Sequence, residues 1–167
     1  MADARFEDGA EGPLSLRAET PEDLSVIAAL VQDAVFTLGD IAWEAKSRRL
    51  AILVNRFRWE DKGQAEVDGR PYERVRSLLV FSDVIRVASQ GIDRNARDTI
   101  VSLLDVQWAE TDQGSGDLTL VLAGDGAIGI SVECLSVDLR DVTRPYRAVS
   151  GVAPDHPDLP DLPDNTD

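Results

Sequence analysis

Arg56-Phe57-Arg58-Trp59 is the run in this chain best equipped for chemistry. Two guanidinium groups alternate with two aromatic rings. An Arg fork grips a carboxylate or phosphate at two points, and a Trp ring stacks on a base or a cation. Arg74, Arg76 and Arg86 fall on strands expected beside this run. The candidate binding residues are therefore Arg56, Arg58, Trp59, Arg74, Arg76 and Arg86. The plainer reading of the same residues is a solvated sheet face balanced by Glu60, Asp61 and Glu73, since surface ion pairs are worth only ~0–1 kcal/mol.

The other reactive residue types are thinly spread. Gly124-Asp125-Gly126-Ala127-Ile128-Gly129 has the Gly-x-Gly-x-x-Gly spacing of a dinucleotide loop. That loop must open a helix, whose N-terminus meets the phosphates. Here Ile128, Ile130 and Val132 alternate as a strand, so the glycines predict a hairpin turn. The single histidine, His156, lies in a Pro–Asp tail and lacks the rigid setting a catalytic imidazole needs. The single cysteine, Cys134, continues an apolar alternation and is expected as a buried thiol. One Cys and one His do not make a zinc site. Asp33, Asp40 and Glu44, and Asp93 and Asp98 around Arg94 and Arg97, are numerous enough for carboxylate chemistry, but turn and cap roles suit their positions better. The sequence thus assigns no catalytic residue, metal ligand or cofactor.

Charge is sorted along the chain. The net charge is -14. Residues 46–97 carry 12 Lys and Arg against 7 Asp and Glu, or +5, so the remainder sums to -19. A basic middle within acidic flanks implies an anion-facing surface, an internal electrostatic clamp, or both. Net acidity argues against duplex DNA, whose affinity comes from phosphate neutralisation. Residues 1–12 contribute -3 and residues 151–167 contribute -5. No apolar run approaches the ~18 residues of a membrane span, and the first residues do not form a signal peptide. A soluble, cytoplasmic protein is expected.

These residues need elements to hold them. Thr20 offers an N-cap, Pro21 the first helical position, and Leu24, Ile27, Ala28 and Val31 one apolar stripe. A helix over about 21–32 follows, the only long one expected. Short strands are predicted over 35–38, 41–45 and 49–57. In the last, Leu50, Ile52 and Val54 share one face while Ala51, Leu53 and Phe57 share the other, as in a central strand covered on both sides. Residues 60–70 read as a loop. Residues 72–88 are β-rich with a turn at Ser82-Asp83. The strand over 99–108 places Ile100, Leu104, Val106 and Trp108 on one side. Residues 111–116 turn into a hairpin with Leu118, Leu120 and Leu122 facing Ile128, Ile130 and Val132. The apolar parity then flips to Leu135, Val137 and Leu139, which requires a break near Cys134. Pro154, Pro157, Pro160 and Pro163 are each followed by Asp, a polyproline II pattern.

The fold class predicted is β-rich α+β, a two-sheet sandwich or partly open barrel of mainly antiparallel strands with one packed helix. Residues 1–12 are expected as a flexible acidic arm, 13–146 as one globular domain and 147–167 as a disordered acidic tail.

Four stretches carry a resemblance: Asp33 to Trp43, Arg48 to Trp59, Ser89 to Arg94, and Val132 to Leu135. The chain resembles the alphaproteobacterial domain-of-unknown-function family DUF2948 over roughly Leu14 to Tyr146. The resemblance implies no activity, cofactor or catalytic residue. Three functions compete. The first is a non-catalytic binding or adaptor domain that holds an acidic protein segment, or its own C-terminal tail, on the basic-aromatic face. The second is an RNA- or nucleotide-associated protein using the same face. The third is a carboxylate enzyme dependent on Mg²⁺ or Ca²⁺.

Overall fold

Thr20 opens the first helix as its sequence requires. Its Oγ1 accepts from the Asp23 amide at 3.1 Å, and α1 runs Pro21–Leu30. Leu24, Ile27 and Leu30 are its buried stripe. The computed structural model describes residues 12–148 and 153–154. His156 and the Asp ladder of the tail lie outside them.

The strands are β1 (Ser15–Ala18), β2 (Ala34–Thr37), β3 (Ile41–Glu44), β4 (Arg49–Phe57), β5 (Glu73–Phe81) and β6 (Val84–Gln90). They continue with β7 (Ile100–Asp112), β8 (Ser115–Leu122), β9 (Ala127–Val132), β10 (Val137–Asp141) and β11 (Tyr146–Arg147). All pairings are antiparallel, in the order β1-β10-β5-β4-β2-β7-β8-β9-β6, with β3 on β4 and β11 on β5. The β-rich α+β class expected from sequence is the observed one. The path is a single open sheet whose two ends, β1 and β6, do not meet. Ladder pairing between β2 and β4, which joins its halves, consists of the single register pair Val35↔Asn55. Leu50, Ile52, Leu79 and Leu139 of one half share an apolar cluster with Leu118, Leu120, Ile128 and Ile130 of the other. The helix α1 packs on β1 and β7 and adds its stripe to the same cluster.

Four expectations need correction. Residues 60–70 are not a loop, and α1 is not the only helix: α2 spans Trp59–Asp68. Its signals are polar and local. Glu60 and Asp61 complement the first turn, Lys62–Glu66 pairs at i,i+4 (3.5 Å), and Gly69 ends the helix at φ 66°. Gly63 and a lack of apolar residues hid them. In β7 a register shift between Leu103 and Asp105 reverses the inward set. Leu103 and Val106 are buried, and Ile100 is exposed. The third correction is Cys134, which is exposed because β9 ends at Val132 and the chain breaks before β10. Finally, strand pairing passes the boundary expected at 146, since Arg147 pairs with Glu73 and the Ala148 amide donates to Tyr72 O at 2.8 Å.

Candidate functional site

Arg56 sits two residues beyond Val54 on β4, so strand alternation puts it on the inward face with Leu50, Ile52 and Val54. It is fully buried. Ser77 on β5 and Asp141 on β10 continue the inward rows of their own strands and lie opposite one another. Arg56 and Asp141 thus end the apolar rows of β4 and β10, and Ser77 interrupts that of β5 between Val75 and Leu79. Every N–H of the guanidinium is used. Nη1 and Nη2 donate to the two Glu60 oxygens at 2.8 Å each, Nη2 also to Asp141 Oδ1 at 3.0 Å, and Nε to Ser77 Oγ at 3.0 Å. Nη1 also reaches Phe57 O at 3.4 Å. Asp141 in turn accepts from Ser77 Oγ at 2.7 Å and from the Leu14 amide at 2.9 Å. Burial pulls the proton affinity of Arg56 down, but Glu60 and Asp141 outweigh it and hold the group above its ordinary value.

Arg58 extends the cluster. It pairs with Glu73 and lies 3.6 Å from Asp61, which Arg70 grips through two bonds of 3.1 Å. Those bonds to Asp61, and a further one to Asp68, raise the pKa of Arg70. Arg56, Arg58 and Arg70 thus face Glu60, Asp61, Glu73 and Asp141, three positive charges against four negative. This is the internal clamp that the charge sorting allowed for. Arg56 and Arg58 therefore have no surface to give to a ligand, which corrects the expectation that they form a solvent-facing patch.

The other four candidates do not converge. Trp59 is half-buried; its indole N–H donates to Gln32 O at 3.0 Å and its ring lies edge-on to Phe57 at 4.7 Å. Arg74 is half-buried and donates to Asn55 O at 3.1 Å. Desolvation lowers its pKa. Arg76 is exposed on the outer face of β5, whereas Arg86 lies on β6 in the far half of the sheet.

A different basic face emerges around Arg76. The outward residues of β4 and β5 include Ala51, Leu53, Leu78 and Val80. All four are half-buried, and none joins the interior cluster. The expected cover on the second side of β4 is absent among the described residues. Arg17 on β1, Arg49 on β4, Arg76 on β5 and Arg140 on β10 rim this apolar strip. Arg17, Arg49 and Arg140 line a depression of about 190 Å³ floored by Leu78 and Val80. A second, of about 160 Å³, runs from Leu53 to Arg76 and Ile100. Arg17 is paired with Asp138 at 2.9 Å. Among the described residues the Arg49, Arg76 and Arg140 side chains carry no ion pair. The sequence held a signal for this face: one predicted helix could not cover both apolar sides of β4.

A family model described as "Protein of unknown function (DUF2948)" matches residues 14–156. The chain belongs to the DUF2948 family. No curated protein and no solved structure matches it.

The remaining candidates of this DUF2948 chain serve local structure. Asp40 Oδ2 accepts from both the Thr37 amide and hydroxyl at 2.9 Å, and Asp93 caps the Asn95 amide at 3.0 Å. Gly124 and Asp125 turn the β8–β9 hairpin at φ 81° and 69°. Among the described residues no three His, Cys, Asp or Glu side chains gather as a metal site, and no helix is long and apolar enough to cross a membrane. The Cys134 thiol donates to Asp83 Oδ2 at 3.2 Å, and that bond, with desolvation, raises its pKa. Alkylation of native Cys134 by iodoacetamide at pH 8 should accordingly be slower than that of free cysteine. Asp83→Asn, which tolerates the positive φ of 55° at this site, should speed it several-fold.

Proposed function

We propose that this domain is a non-catalytic binding module that holds an acidic, amphipathic protein segment on the outer face of β4, β5, β10 and β1. One observation carries the reading: four half-buried apolar side chains form a strip rimmed by four arginines, three of them without an ion pair among the described residues. Sheet faces that are apolar on both sides are normally covered on both sides. Here a segment with alternating acidic and apolar residues would supply the missing cover and the missing counter-charges. An Arg fork grips such a carboxylate at two points, which a lysine ammonium does not. The half-buried strip of Ala51, Leu53, Leu78 and Val80 carries no aromatic ring of its own, the stacking platform that single-strand nucleic-acid binders use.

The test is titration with an extended peptide that alternates Asp and Leu. The Arg49→Glu/Arg140→Glu variant should keep its melting temperature and lose about tenfold or more in affinity. Binding should also weaken between low salt and 0.5 M salt, where exposed charges are screened. Equal affinity for the folded variant would remove the proposal. Tighter binding of single-stranded RNA than of the peptide would favour the nucleic-acid reading instead.

A further inference from the structure

Separate from the outer face, a slot lies between two strand edges of the sheet. The free edges of β3 and β6 border it. At one end the strands converge, where the Val84 amide donates to Arg48 O at 2.9 Å. At the other, Leu38 and Gly39 donate to the carbonyls of Thr99 and Arg97 at 3.1 and 2.9 Å. Between these closures lies a cavity of about 290 Å³. Leu50 and Ile128, two core residues, reach it from inside, while Val87 and Ile92 line it with Trp43. Trp43 is 40% exposed, an uncommon state for a ring with apolar neighbours. The polar lining is confined to Ser89 and Arg94. Arg94 has no ion pair among the described residues.

From this arrangement we infer a small-molecule site for an apolar ligand with one anionic head, an alkyl or aryl carboxylate. An apolar cavity with few, well-placed polar groups is the usual form of such a site. The slot is closed at both ends by backbone hydrogen bonds, so a continuous peptide strand could not run through it. Its volume sits at the lower end of ligand cavities, ~300–1,000 Å³, which suits a ligand of about eight to ten heavy atoms. The apolar body would lie between Trp43, Val87 and Ile128, and the carboxylate would meet Arg94 beside the Ser89 hydroxyl.

Calorimetric titration with octanoate and with 1-octanol tests the site. Octanoate should bind saturably at one site and shift the Trp43 fluorescence, a shift that Trp43→Phe removes. Arg94→Gln should weaken octanoate about five- to tenfold and leave octanol unchanged. Ser89→Phe, placed in the slot and not in the core, should abolish both. The absence of saturable octanoate binding by the folded protein would overturn the inference. So would octanoate binding that survives Ser89→Phe unchanged. A loss common to octanoate and octanol in Arg94→Gln would overturn the assignment of the head group.

Discussion

Arg56→Met should destabilise the protein by about 3–5 kcal/mol, as much as truncating a large core side chain. Methionine roughly fills the space but satisfies none of the charges around it. The Glu60 and Asp141 side chains are only 1% and 3% exposed, so both carboxylates would stay buried after losing their guanidinium. Asp141 would retain Ser77 and the Leu14 amide, whereas Glu60 would keep only Arg58, 3.7 Å away. The cost is that of orphaned charge and not the net worth of the pair, because burying the intact pair was itself expensive. Arg56→Met/Glu60→Met should therefore be less destabilised than Arg56→Met alone. Arg76→Met on the outer face should change stability by less than about 0.5 kcal/mol. Urea unfolding followed by circular dichroism measures all three. A loss below about 1 kcal/mol in Arg56→Met would mean that water reaches the carboxylates and that the clamp contributes little.

The position of Arg56 was legible, and its partners were not. Alternation from Leu50 through Ile52 and Val54 leads directly to it, and only its charge argued for the surface. Glu60 is four residues away and could have been paired with it. Asp141 is 85 residues away, brought in by a β4–β5–β10 register that no local pattern encodes. The same division runs through the fold. The α1 cap, the limits of β4 and the β8–β9 hairpin depend on neighbours in sequence and were readable. The inward set of β7 depends on one bulge near Leu104, and a shift of one residue turns every later side chain over. In α2 the only buried apolar residue is Ala65, so tertiary ion pairs hold a helix that apolar periodicity could not reveal.

The candidate site follows the same logic in reverse. Arginine in the basic middle was expected to mark a surface, yet the clamp takes Arg56 and Arg58 inside, with Arg70 gripping Asp61 from the exposed side. The arginines of the proposed binding face are those that point outward around half-buried apolar residues. Of these four only Arg76 was a candidate from sequence; Arg17, Arg49 and Arg140 were not, and Arg17 and Arg140 lie on β1 and β10, far apart in sequence. They share a face only because β10 inserts between β1 and β5.

Gly116→Ala should cost about 2–3 kcal/mol, against the ordinary expectation for a glycine in a strand. On backbone entropy alone, alanine would stabilise a strand position by roughly 0.5–1 kcal/mol. Gly116 lies buried on β8 between Glu110 of β7 and Val132 of β9. A Cβ there would stand 2.5 Å from Ala109 O and 2.6 Å from Trp108 Cη2. The indole can tilt away, but the carbonyl cannot move without parting the β7–β8 ladder. Steric overlap therefore decides the sign. Trp108→Leu/Gly116→Ala should not restore stability, since it relieves the ring contact and leaves the carbonyl contact in place. The shape of the transition carries a second result. Because both halves of the sheet share one apolar cluster, strain placed at β8 should lower a single cooperative unfolding transition for the whole domain. Coincident melting by near- and far-ultraviolet circular dichroism in Gly116→Ala is the expected outcome. Separate transitions would show that the halves, joined at Val35 and Asn55, fold as independent units.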